Sequence, residues 1–179
     1  MKFRFRKSCV EDKPFYYICF DCDVFSEFVY GERRIHNFAR YLERGDKGTI
    51  KFIVEAFVDG EWHDLGFCHS YKVGGQSLFE FVGGSAPCYF NRGFGIYAYI
   101  AIIDSMFRVY QDVTFMVGVS KKNNRSLKMH LAVGFRVTKE REEQFSLSLT
   151  REDFYNERVK YWLQRISVES FNADFFLHD

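Results

Sequence analysis

Two periods of apolar and polar residues alternate along the chain, and the switches between them lay out its elements. Residues 2–6 set Phe3 and Phe5 against Lys2, Arg4 and Arg6, the period of a half-buried strand. Glu11-Asp12-Lys13-Pro14 suits a helix start, with the acid before the proline as cap and the proline in the first turn. Residues 15–25 are strongly aromatic. Residues 28–44 place Phe28, Ile35, Phe38 and Leu42 among charges, an amphipathic helix that Gly45-Asp46-Lys47-Gly48 ends. Strands over Thr49–Val58 and Glu61–Lys72 flank Asp59-Gly60, a pair suited to a two-residue type I′ hairpin turn. Gly74-Gly75 turns the chain into a third strand over residues 76–82.

Residues 78–107 then read as strand, glycine-bearing turn and apolar helix. Residues 113–119 are a nearly continuous apolar run of strand length, which predicts a central strand. Residues 121–133 predict a short helix closed by Gly134 as C-cap, and residues 135–140 and 144–149 a hairpin around Arg141-Glu142-Glu143. Thr150-x-x-Asp153 resembles an N-cap with an acid in the first turn, opening a last helix over about 150–166 with Phe154, Tyr161, Trp162 and Leu163 as its apolar contacts. The tail, 171–179, is aromatic and acidic. No repeat or linker interrupts the series, so residues 1–179 read as a single domain. The element order is that of an α+β sandwich about one mixed sheet.

Composition narrows the classes. A chain of 179 residues can bury roughly 70% of the surface its unfolded form exposes and needs no disulfide framework. With 22 Phe and 11 Tyr against two Pro, it has material for a large core and no compositional sign of disorder. Lys and Arg total 25 against 24 Asp and Glu, so no basic surplus points to nucleic acid. No stretch reaches the ~20 apolar residues of a membrane span, and the charged start is unlike a signal peptide. Five cysteines, an odd number, fit free thiols in a reducing, cytoplasmic setting. Cys19-x-x-Cys22 is half a zinc site without a second half, so no metal is expected.

The chemistry centres on the glycine turn. A turn such as Asn91-Arg92-Gly93-Phe94-Gly95 that delivers the chain into a helix start leaves several N–H groups pointing one way, with the positive end of the helix dipole behind them. Such a nest holds a phosphate or pyrophosphate. Gly93-Phe94-Gly95-Ile96-Tyr97-Ala98 also fits G-x-G-x-x-A. Against a dinucleotide site, residues 83–90 separate it from its strand, and Ser120-Lys121-Lys122 stands where an acid should meet the ribose.

Two blocks are more specific: Pro87-x-x-x-x-Arg92-Gly93-Phe94-Gly95, and Asn123-x-x-Ser126-x-x-x-His130-x-x-x-Gly134-Phe135. They resemble the two signature blocks of the GNAT superfamily, the acyl-CoA-dependent N-acyltransferases, down to the order of elements between them, and residues 3–149 can be laid on that fold. The resemblance implies a mixed, mostly antiparallel sheet of about seven strands flanked by helices and splayed between the fourth and fifth. It implies that Asn91, Arg92, Gly93, Phe94 and Gly95 hold the coenzyme A pyrophosphate. Backbone groups of Val82, Gly83, Gly84 and Ser85 would take the pantetheine arm, and Asn123 and Ser126 would line the coenzyme channel. Two positions depart from the pattern: Phe90 stands where Gln or Arg is usual, at the cost of one loop contact, and His130 stands where many members place a tyrosine that protonates the departing thiolate.

The implied activity is N-acetyl transfer from acetyl-CoA, a co-substrate, to an amine within a ternary complex, with no covalent enzyme intermediate and no metal. His130 is the candidate acid and Glu80, a carboxylate on the strand walling the cleft, the candidate base; Glu55 and His69 are weaker alternatives on neighbouring strands. Cys88 has no His/Asp partner in sequence and reads as an inert loop thiol. The acceptor side should be lined by residues 15–30 and 28–44, where Asp21, Asp23 and Glu27 could meet a cation. A small-molecule amine is favoured over a protein acceptor, nucleic acid and membrane are not expected as partners, and a homodimer accords with the family habit. The alternative is a catalytically degenerate GNAT-like module that binds acyl-CoA or acts by protein contact.

Overall fold

The computed structural model describes residues 1–20, 49–72 and 78–169. The predicted helix over 28–44, the Gly45–48 and Gly74-Gly75 breaks, Asp21, Cys22, Asp23, Glu27 and the tail 171–179 lie outside the described residues. In β1 (Lys2–Lys7) the alternation does what its period dictates: Phe3 and Phe5 are buried on one face, while Arg4 and Arg6 meet carboxylates on the other. Antiparallel to it runs β2 (Thr49–Val58), with Phe3 opposite Ala56 and Arg4 opposite Glu55. Asp59 and Gly60 both take positive φ, 52° and 91°, the geometry a type I′ turn requires. They return the chain as β3 (Glu61–Lys72). The β2–β3 register slips between Val54 and Glu55, which leaves Leu65 as a bulge whose carbonyl accepts the Ala86 N–H at 2.9 Å.

The strand β4 (Leu78–Ser85) pairs antiparallel with β3 to its very end, Gly66 opposite Ser85. A Cβ on Gly66 would stand 2.3 Å from the Gly84 carbonyl oxygen, so only glycine allows this approach. After β4 come a short 3-10 turn (Pro87–Tyr89) and the long helix α2 (Phe94–Val109); α1 is the earlier helix Lys13–Phe20. β5 (Thr114–Ser120), α3 (Asn124–Val133), and the hairpin β6 (Arg136–Glu140) and β7 (Gln144–Leu149) follow. The expected final helix arrives as two, α4 (Arg151–Phe154) and α5 (Glu157–Leu163), because Asn156 takes an extended backbone and starts a helix of its own, its Oδ1 accepting the Val159 N–H at 3.1 Å. A strand that the pattern does not predict, β8 (Ser167–Val168), joins β1 in parallel.

Among the described residues the strands form one eight-stranded sheet in the order β6-β7-β5-β4-β3-β2-β1-β8. Mostly antiparallel and flanked by helices, it is the expected α+β architecture with β8 added. α2 covers one face with Ile100, Ala101, Ile103, Met106 and Phe107 against Phe3, Phe52, Phe79 and Phe115. Each such fully buried large side chain contributes roughly 1.5–3 kcal/mol. α1 lies on the opposite face, its Tyr16 ring 4.8 Å from Phe67. No helix of the described residues is long and apolar enough to cross a membrane.

One seam of the sheet is incomplete, as the resemblance implies. β4 and β5 run parallel and pair through Leu78–Thr114, Phe79–Phe115 and Glu80–Met116. Beyond that rung β4 stays paired with β3 as far as Ser85, and β5 with β7 as far as Ser120, but not with each other. The sheet therefore forks between its fourth and fifth strands.

Candidate functional site

The loop from β4 to α2 is built to leave donors open. Tyr89 and Phe90 spend their N–H groups on the carbonyls of Ala86 and Pro87, both at 3.0 Å, and Arg92 reaches Tyr89 at 3.4 Å. The Tyr89 ring braces the loop edge-on against Phe94, 5.8 Å between centroids. Asn91 (φ 63°) and Gly93 (φ 79°) are both left-handed and bracket Arg92, a backbone alternation that turns successive N–H groups to one side. Gly93 is the N-cap of α2 and offers no side chain, and the first turn carries no acid. The contrast with α3, α4 and α5 is direct: Asn123, Thr150 and Asn156 each cap theirs with a side-chain oxygen. Among the described residues the N–H groups of Gly93, Phe94, Gly95 and Ile96 have no backbone partner. They sit at the positive end of a 16-residue helix.

Gly95 tests whether the nest is shaped for a ligand. Its φ is not positive, and a Cβ built there meets nothing within 4 Å, so neither strain nor crowding inside the chain requires glycine. A glycine in a helix costs roughly 0.5–1 kcal/mol relative to alanine, and here the open space above it suits the close approach of an anion to the helix N–H groups. A pyrophosphate fits these residues.

The fork opens beside the nest. Glu80 stands at the last rung, opposite Tyr71 on one side and Met116 on the other, and Val82, Gly83, Gly84 and Ser85 continue the β4 edge past it; for Glu80 and Val82 it is the backbone that is described. Alternate residues along this stretch turn N–H and C=O away from β3, toward the gap, which suits an amide-bearing chain such as pantetheine. Only Ala86, the short turn and Phe90 separate the open edge from the nest.

The far lip of the fork carries α3. Asn123 accepts the Ser126 N–H on Oδ1 at 2.9 Å, so half of its amide is spent on capping. Ser126 holds His130 one turn later. His130 Nδ1 lies 2.7 Å from the Ser126 carbonyl and 3.3 Å from its Oγ. Because a carbonyl only accepts, Nδ1 carries the hydrogen, and in the neutral ring Nε2 is the bare nitrogen. The ring is 7% exposed, edge-on to Tyr99 at 5.2 Å and Phe135 at 5.1 Å. Burial lowers its pKa against the smaller raising effect of the Ser126 backbone. His130 is thus a neutral acceptor at pH 7, and acting as an acid would require an imidazolium that its surroundings disfavour.

The alternative bases are engaged elsewhere. Glu55 takes a bidentate bond from Arg4, 2.8 and 2.7 Å, with Arg6 at 3.7 Å. Arg6 also grips Asp12 and Asp64. His69 is buried in β3 opposite Val82, with Nε2 2.9 Å from the Tyr16 hydroxyl, which lies 2.8 Å from Ser8 Oγ. Burial, with Lys51 adding to it, lowers the His69 pKa to about 3. Cys88 is exposed in the 3-10 turn and Cys19 is buried. What the sequence reading did not foresee is Arg125, whose guanidinium carbon lies 5.7 Å from the centre of the Phe90 ring. Its only sequence signal is the local cluster of Lys121, Lys122 and Arg125.

No protein-family model matches the chain, and no curated protein does. Solved structures match closely in shape. An acetyltransferase (GNAT family) from Bacillus anthracis superposes with a TM-score of 0.64 at 17% identity, covering 83% of this chain and 94% of that one. A point mutant of the spermidine N-acetyltransferase SpeG from Vibrio cholerae gives 0.69 at 14%, covering 86% and 96%. The aminoglycoside acetyltransferase AAC(6')-Ib in complex with coenzyme A gives 0.68 at 16%, covering 87% and 99%. With the forked sheet and the open helix start between its fourth and fifth strands, the fold of this chain is that of the GNAT acetyltransferases.

Proposed function

We propose that the protein, residues 1–179 as one domain, is an acetyl-CoA-dependent N-acetyltransferase that acylates a small amine by direct transfer in a ternary complex. The observation that carries the reading is the adjacency of two features: an uncapped helix start with open donors, and an unpaired strand edge that ends at Ser85, one short loop earlier. The nest of Asn91, Arg92, Gly93, Phe94 and Gly95 takes the pyrophosphate, and the edge from Val82 to Ser85 takes the amides of the arm. Asn123, through the half of its amide not used in capping, and Ser126 line the opposite lip. The bound thioester supplies the activated acyl group. A small amine as acceptor is supported by the names of two similar structures, a spermidine and an aminoglycoside acetyltransferase.

In this reading the chain's main contribution is positional. Fixing thioester and amine in one cleft is worth up to ~7–11 kcal/mol of barrier. A backbone N–H on the open edge near Gly83 adds polarisation of the carbonyl. Glu80, at the apex of the fork, is the base that takes a proton from the incoming amine, directly or through water. His130 acts as a positioning residue: its fixed tautomer presents a lone pair at Nε2, and the proton that Glu80 takes from the amine is returned through water to the departing sulfur.

The test is thiol release from acetyl-CoA across a panel of polyamines, aminoglycosides and amino acids, with Glu80→Gln as control. Turnover with at least one amine is expected, with kcat lowered about 10²-fold or more by Glu80→Gln and coenzyme binding unchanged. Coenzyme binding with no transfer to any acceptor would favour the degenerate binding module.

A further inference from the structure

The two lips of the fork are joined by a side-chain contact. β4 runs through Ser85 into the loop bearing Phe90; β5 runs through Ser120 into α3, whose first turn holds Arg125. The strands separate after Glu80 and Met116, yet the Arg125 guanidinium reaches the Phe90 ring, 5.7 Å from its centre. That is within the ~6 Å range of a cation–π contact. A guanidinium packed on a ring keeps its N–H edges free, and these match pairs of phosphate oxygens.

The charge at this point is held but not neutralised. Lys121 is bonded to Glu140, Arg108 to Asp104 and Arg136 to Asp153. Among the described residues no carboxylate is paired with Arg125, and Arg125 itself is exposed. Arg92, likewise exposed, follows Phe90 by two residues, and the open N–H groups of the nest begin at Gly93. An aromatic ring at position 90 therefore does not cost the loop a cation; it anchors one delivered from the opposite lip.

We propose that Arg125, positioned by Phe90, is a phosphate ligand of the coenzyme site and clasps the nucleotide end of the cosubstrate across the mouth of the fork. This rests on the coenzyme A reading above. It separates two parts of that cosubstrate: the phosphates feel Arg125, while the pantetheine arm and its thioester do not.

The experiment compares wild type, Arg125→Ala, Arg125→Lys, Phe90→Leu and the Arg125→Ala, Phe90→Leu double variant, each checked for native circular dichroism. Affinities for coenzyme A and for inorganic pyrophosphate are measured by calorimetry, and KM is measured for acetyl-pantetheine, which carries no phosphate. Arg125→Ala is expected to weaken coenzyme A about 10-fold or more and pyrophosphate in the same direction, with KM for acetyl-pantetheine within 2-fold. Arg125→Lys should recover part of the loss. Phe90→Leu keeps bulk but removes the ring face, so it should weaken coenzyme A about 3-fold and add nothing on top of Arg125→Ala. Unchanged coenzyme A affinity in Arg125→Ala overturns the clasp and leaves the coenzyme reading standing. An equal loss for acetyl-pantetheine, or additive effects of the two substitutions, also overturns it. A wild type that binds neither coenzyme A nor pyrophosphate removes both.

Discussion

Replacing Gly95 with alanine sets stability and binding against each other. The residue is the second of α2, its φ is not positive, and the added Cβ would meet no atom within 4 Å. Nothing inside the folded chain is lost, while the unfolded chain loses the freedom that glycine gives it. The gain is about 0.5–1 kcal/mol, which for a chain of this size raises Tm by roughly 1–4 °C. The same methyl enters the space above the N–H groups of residues 93–96, where a phosphate oxygen must come within hydrogen-bond distance. Losing one such contact costs on the order of 1.4 kcal/mol, a 10-fold weaker Kd for coenzyme A. Thermal denaturation and calorimetry on the same preparation read both effects. A lowered Tm would mean that the fold itself needs this glycine, and an unchanged Kd would mean that the ligand does not approach here; either refutes the reasoning.

Acid should weaken the fold through His69. It stays neutral when folded down to about pH 3 but binds a proton near 6.5 when unfolded, so stability is full above pH 6.5 and falls by about 1.4 kcal/mol per pH unit below it. Urea unfolding at pH 7.5 and 5 should show a loss of about 2 kcal/mol that His69→Gln largely removes; an equal loss in the variant points to other groups. For His130, His130→Phe should leave kcat within about 3-fold, whereas a drop of 10²-fold or more, the usual worth of a general acid, would restore the acid role; His130→Tyr, which brings a hydroxyl, should not be slower than wild type. Gly134→Ala should destabilise by about 2 kcal/mol or more in urea unfolding, since φ is 114° and the new Cβ would stand 2.4 Å from the Asp153 carbonyl oxygen; a loss under 0.5 kcal/mol would show that α4 can shift at no cost.

Elements specified by neighbours within about four residues were legible in the sequence. Asp59-Gly60 places β2 and β3 to the residue, and Gly134 stops α3 where expected, although the helix starts only at Asn124, after an Asn123 cap that the expected span 121–133 places inside it. The fork was not legible from pattern alone, because β4 and β5 are both ordinary apolar strands and their parting depends on partners far along the chain; the resemblance supplied it. β8 was missed because a two-residue strand has no period. The split between α4 and α5 was missed because Asn156 sits where helical spacing continues on both sides. At the site, the glycine turn announced the nest, but the state of His130 depends on Tyr99 and Phe135. Glu55 could not be told from a base until Arg4 was seen against it.

The most direct measurement is calorimetric titration of the purified protein with acetyl-CoA, beside an Arg92→Glu, Gly95→Glu double variant that fills the nest and reverses its charge. Saturable binding of one equivalent in the wild type, abolished in the variant while circular dichroism is retained, is the predicted result. Absence of binding in the wild type, or equal binding in both proteins, contradicts the account.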